Sequence, residues 1–129
     1  MSAATDVVSG AYAAFGRGDI PAILDMLAPD VDWQVPDVLP HGGSFHGPDA
    51  VGGFFQGIGE RWEDFRIETG DLLEGGDEVA SVGRGEGTLR GGAPASYGFA
   101  HVFTISQGKI TRFREYVDPD PAILAQTGG

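Results

Sequence analysis

The chain contains no cysteine and no asparagine, and only eight of its 129 side chains are lysine or arginine. Without cysteine there is no disulfide framework, no zinc–thiolate centre and no thiol nucleophile. Without asparagine there is no N-glycosylation acceptor and no Asn-dependent catalytic arrangement. Nineteen acidic residues against those eight cations leave a net charge of −11. Such a surface repels phosphate backbones and anionic lipid, so neither nucleic acid nor a membrane surface is expected as a partner. No apolar run approaches the roughly 18 residues that span a bilayer. The opening "MSAATDVVSGAYAAFGRGD" lacks the basic region and apolar core of a signal peptide, and the expected setting is the cytoplasm.

What the chain does have is an apolar fraction of 41% and 10% aromatics, enough apolar surface to offset chain entropy. Its length predicts a single domain over residues 1–129, with a fold core of about 3–118. Val7, Val8, Ala11, Ala14 and Phe15 recur at helical spacing and predict a helix over 3–15, stopped by Gly16 and Gly18. Asp19 caps a short second helix through "IPAILDML", with Pro21 in its first turn. "VDWQV" alternates as a strand. "PDVLPHGGSFHGPD" reads as a loop, from which Gly47 and Pro48 open a third helix with Val51, Phe54, Phe55 and Ile58 on one stripe.

From residue 64 the pattern changes to strands, "FRIETGDLL", "EVASVGRGEGTL", "ASYGFAHVFTIS" and "KITRFREYV", punctuated at "EGGD", "RGGAP" and "SQGK". The tail "DPDPAILAQTGG" allows one helical turn at most. Helices first and strands after predict an α+β fold, a cone-shaped, curved antiparallel sheet wrapped around three N-terminal helices and enclosing a pocket. The many strand glycines predict bulges and strong bending.

The stretches "AYAAFGRGDIPAILDMLAPDVDWQVP", "FHGPDAVGGFF" and "HVFTISQGKITRFREYVDP" resemble the nuclear transport factor 2-like superfamily, in particular its SnoaL-like branch. The resemblance covers residues 7–119 and implies the same cone. It also implies a range of activities, since the superfamily includes ketosteroid isomerases, polyketide cyclases, dehydratases, epoxide hydrolases and binding modules. The positions resembling the ketosteroid isomerase base and its two oxyanion donors hold Val35, Ala11 and Ala100, with Tyr12 adjacent to Ala11. The SnoaL-like cyclases are more similar in using a late acidic residue, which points to Glu115 or, less well, Asp118.

The strand "KITRFREYVDP" poses the central question. Alternation puts Phe113, Glu115 and Val117 on one face and Arg112, Arg114 and Tyr116 on the other. Either Glu115 meets water or an arginine, or it lines a cavity where desolvation raises its pKa and suits it to acid/base work. In the cavity reading Glu115→Gln leaves stability at pH 7 unchanged or improved, and in the salt-bridge reading it destabilises. The resemblance to ketosteroid isomerase favours the cavity.

His101 is the possible partner, and hairpin register decides its place. A two-residue loop at Gln107–Gly108 sets Ala100 opposite Glu115, whereas a three-residue loop sets His101 there. In the two-residue register His101, Phe103, Ile105, Ile110 and Tyr116 form an apolar outer face that predicts a homodimer.

The expected catalytic pair is therefore Glu115 and His101. The expected binding wall is Tyr12, Phe15, Trp33, Val35, Phe54, Phe55, Ile58, Val102, Phe113 and Val117, aromatics suiting flat apolar ligands. His41 and His46 fit no common metal spacing, so neither metal nor cofactor is expected, although His46 or Asp37 stands where a loop could gate a mouth. "GRGEGTLRGG" lacks the ending and context of a phosphate loop, and "GGSFHG" falls one residue short of a nucleophile elbow. The function expected is a pocket for a small hydrophobic molecule. It would be a cofactor-independent cyclase, isomerase or dehydratase acting on a carbonyl-bearing or polycyclic substrate. The alternative is a non-catalytic binding or protein-interaction module.

Overall fold

The computed structural model describes residues 3–119 and Ile123. Three helices come first, α1 (Ala3–Gly16), α2 (Ile20–Asp25) and α3 (Gly47–Arg61). Between the last two lie β1 (Leu27–Val35) and β2 (Gly43–His46). The remainder is strand, β3 (Trp62–Thr69), β4 (Leu73–Gly75), β5 (Glu78–Leu89), β6 (Pro94–Ser106) and β7 (Lys109–Pro119). Gly18 turns the chain at φ +72°, and the Asp19 carboxylate accepts from the Ala22 N–H to start α2. α1 buries Val8, Ala11 and Ala14 while α3 buries Val51, Phe54 and Ile58, and both stripes join one core with the inward residues of the sheet.

The sheet runs β2-β1-β7-β6-β5-β3, with β4 also on β5. It is the expected antiparallel-rich sheet, with β1 lying parallel to β7 as its one parallel pair among the described residues. Parallel pairing follows from a long crossover carrying the whole chain between the two strands. β2 lies in the stretch expected to be loop, and "FRIETGDLL" is two strands instead of one. The tail expectation lies outside the described residues except for Ile123, which is helical and fully buried.

Glycines in β5 serve packing. A Cβ on Gly85 would stand 2.6 Å from Tyr97 Cζ, and one on Gly83 2.8 Å from Phe99 Cζ while striking the Glu68 carbonyl of β3. Their absence lets two β6 rings fold across β5 and brings β3 close.

The β6–β7 hairpin sets the register. Gln107 and Gly108 both have positive φ, at 53° and 77°, the geometry of a two-residue primed turn. The pairs Ser106↔Lys109 and Ile105↔Ile110 follow it, but the next is Thr104↔Arg112. Thr111 is the extra residue of a β-bulge, and its hydroxyl donates to the Thr104 carbonyl at 3.2 Å. From there on His101 pairs with Glu115 and Val102 with Arg114.

The bulge corrects several expectations at once. His101, Phe103, Ile105 and Ile110 are buried, leaving Tyr116 alone of the expected outer apolar face at 55% exposure. Val102 and Ala100 sit in rows with Arg114 and Tyr116, on the side opposite Glu115. The residue facing inward beside Glu115 is His101, so Ala100 occupies no site position. Arg114 pairs with Glu78 at 2.9 Å and leaves Glu115 alone.

Candidate active site

Glu115 is 6% exposed, and its Oε2 lies 3.0 Å from His101 Nε2. A carboxylate only accepts, so Nε2 carries a proton, and in the neutral ring Nδ1 must then accept. Its donor is the Tyr12 hydroxyl at 2.7 Å, whose oxygen lies 2.6 Å from Ser81 Oγ, itself fully buried. Four residues from α1, β5, β6 and β7 thus form one hydrogen-bonded chain, Ser81–Tyr12–His101–Glu115. Phe99 lies flat on the His101 ring, centroids 3.8 Å apart at 5°, and Phe113 meets the ring steeply at 5.0 Å and 63°. Burial pushes the Tyr12 phenol above its ordinary pKa; the Ser81 hydrogen bond opposes that rise and the Glu115 carboxylate adds to it. Tyr12 therefore stays a donor at neutral pH. Of the alternatives open in the sequence, Glu115 is the buried one on the cavity wall, and His101 is its partner.

A second histidine lines the same interior. His41 is 6% exposed and takes a hydrogen bond at Nδ1 from Trp62 Nε1, 3.1 Å away. Phe54, Trp62, Phe65 and Tyr97 surround its ring at 5.6–6.3 Å. Burial with no compensating anion lowers its pKa to about 4, so the imidazole is neutral through the physiological range. Burial, and then the field of Glu115, raises the Tyr97 phenol well above its ordinary value. Trp33 stacks on Phe113 at 4.1 Å, and its buried Nε1 has no partner among the described residues.

Between these groups is a cavity of about 60 Å³. Tyr12, Phe15, Trp33, Phe54, Phe55, Ile58, His101, Phe113 and Glu115 line it. Val35, Val102 and Val117 do not. Val35 is buried in the core at the end of β1, and Val117 shares the Glu115 face but packs on the core further along β7. Val102 is turned outward by the bulge. His46 is exposed, 3.9 Å from Asp32, and neither it nor Asp37 touches the cavity.

Sequence reasoning missed His41, Phe65, Tyr97 and Phe103 on the lining, and Ser81 behind it. For Tyr97 and Phe103 the signal was available, because Tyr97, Phe99, His101, Phe103 and Ile105 alternate on one face of β6. A depression of about 350 Å³ between α1 and β3 shares Tyr12, Phe15, Phe65 and Ile67 with the cavity, so these side chains separate it from the surface. Among the described residues no three His, Asp or Glu side chains are grouped to hold a metal ion. No helix among them is long and apolar enough to cross a membrane.

Residues 8–113 match the family described as a SnoaL-like domain. The chain is similar to an uncharacterized protein of Mycobacterium tuberculosis strain H37Rv, 32% identical over 117 residues, with 88% of each chain covered. A nuclear transport factor 2-like protein from Burkholderia thailandensis has a similar structure, with TM-score 0.88, 30% identity and 100% and 99% of the two chains covered. So has TerC, co-crystallized with polyporic acid, at TM-score 0.82, 28% identity and 98% coverage of both chains.

Proposed function

This chain belongs to the SnoaL-like family, and on that premise we propose that it is a cofactor-independent acid/base enzyme acting on a small carbonyl-bearing molecule in the cytoplasm. The observation that carries this reading is the buried Glu115 carboxylate on the cavity wall, held by a histidine whose other nitrogen is itself held by Tyr12. Glu115 takes the proton next to the carbonyl and returns it elsewhere on the substrate, which covers isomerisation, cyclisation and dehydration alike. His101 stabilises the carboxylate and fixes its orientation, and Tyr12 and Ser81 fix the imidazole. His101 is thus a positioning residue, because both of its nitrogens are engaged by protein. The aromatic walls exclude water, so the base acts without a competing hydration shell.

Substrate size follows from volume. An engineered cavity of about 150 Å³ holds benzene. A space of about 60 Å³ therefore favours a compact carbonyl compound over a polycyclic one in this conformation. A protein of the same fold is co-crystallized with a small molecule, which supports a small-molecule ligand for this chain. The reading includes a homodimer. Its support is now a different outer row, Val82 at 63% exposure, Ala100 and Tyr116 at 55%, and light scattering showing only monomer at micromolar concentration removes it.

The test is proton exchange. Acetone in D2O, followed by proton NMR, should lose its α-hydrogens faster with the protein than without. Glu115→Gln should slow that exchange by about 10²–10⁴-fold. Ketone that binds without exchange would make the protein a binding module instead.

A further inference from the structure

Glu115 is not the only polar group on the cavity wall. Around Glu115 every hydrogen-bonding group of His101 and the Tyr12 hydroxyl is engaged by protein. His41 uses Nδ1 to accept from Trp62, which is a donor only, so the proton of its neutral ring is on Nε2. That N–H has no partner among the described residues, and neither has the Tyr97 hydroxyl. The two rings are neighbours, 6.3 Å apart, each at least nine-tenths buried and each lining the cavity. Two such donors on one cavity wall invite an acceptor.

We propose that His41 Nε2–H and Tyr97 O–H together bind the carbonyl oxygen of the ligand whose α-proton Glu115 takes. The proposal rests on the acid/base reading of Glu115 and adds the electrophilic half. Abstracting an α-proton moves an electron pair onto the carbonyl oxygen, and charge developing there is stabilised by fixed donors in a dry site. A neutral imidazole suits the task, because it donates without carrying a charge whose burial costs energy. Its tautomer is set by Trp62. Tyr97 stays protonated beside Glu115 and therefore also remains a donor. The class of ligand follows. It has an acceptor oxygen on a carbonyl carbon whose neighbouring carbon carries an acidic C–H.

The test separates oxygen recognition from chemistry by working in Glu115→Gln, where the base is absent. Binding of acetone and of isobutene, which replaces C=O by C=CH2, is measured by NMR titration. The carbonyl stretch of bound [¹³C=O]acetone is read in the infrared. The parent should prefer the ketone about tenfold or more, with the stretch moved to lower frequency. Tyr97→Phe and His41→Phe should each lose most of that preference and of the shift, while hydrocarbon affinity holds. Tyr97→Phe keeps the ring, so it reads the proposal even where His41→Phe folds poorly. Equal binding of the two compounds, binding of neither, or a preference untouched in Tyr97→Phe overturns it. Exchange by wild type without a ketone preference would remove the donor pair and spare Glu115. A ketone preference without exchange would do the reverse.

Discussion

The two histidines of this protein differ in one respect. Both are equally buried, and both lie among aromatic rings on the same cavity. His101 spends both nitrogens on protein, one on Glu115 and one on Tyr12. His41 spends one, on Trp62. A buried ring with both nitrogens satisfied is a strut that holds something else in position. A buried ring with one nitrogen unmatched is a group waiting for a ligand. The same residue type at the same depth therefore supports opposite roles, decided by what its second nitrogen meets.

Three substitutions break or sharpen that contrast. The largest effect is expected from acid. His41 has a folded-state pKa near 4 against about 6.5 unfolded, so between those values the unfolded chain binds more protons and stability falls as pH falls. The stabilisation present above pH 6.5 should decline by about 3 kcal/mol on reaching pH 4. Denaturant titrations of wild type and His41→Phe across that range should show the variant lacking this decline. An unchanged acid slope would mean that His41 is not held neutral. Next comes Tyr12→Phe. It removes a hydroxyl bonded to both His101 and Ser81, and should cost about 1–3 kcal/mol at pH 7 by the same measurement. Smallest is Tyr97→Phe, whose hydroxyl meets no described residue. Its stability should stay within about 0.5 kcal/mol of wild type, and a larger loss would show that the hydroxyl is already engaged.

Much of the architecture was legible because it is local. The stripes of α1 and α3 lie where helical spacing put them, and β5 runs from Glu78 to Leu89 as the alternation and the flanking turns indicate. Alternation also put Glu115 on one face with Phe113 and Val117, and the family resemblance turned that face toward the cavity. What was not legible depends on distant contacts. The parallel pairing of β1 with β7 joins residues some eighty apart, and β2 is a four-residue edge strand with little pattern to read. His41 looked like a loop residue, since its burial is created by Trp62, Phe65 and Tyr97 arriving from other elements. The turn at Gln107–Gly108 is the two-residue alternative, yet the register it implies holds for only two pairs. A bulge at a threonine in "KITRF" has no strong local signature.

That bulge has a consequence for how the protein tolerates change in length. Ile110 on one side of Thr111, and Phe113 with Glu115 on the other, have opposite parity in sequence, yet all three face inward. Thr111 is thus the seam at which the hairpin resets its phase. Deleting it would make Ile110 and Arg112 consecutive opposite Ile105 and Thr104, turning the bulge into a regular ladder and moving no later pair. A deletion between Arg112 and Glu115 has no such seam to absorb it, and would turn the carboxylate out toward solvent. For a lineage gaining and losing single codons, this hairpin has one position at which the reading frame of the sheet forgives an indel, and it lies just ahead of the residues whose facing matters most.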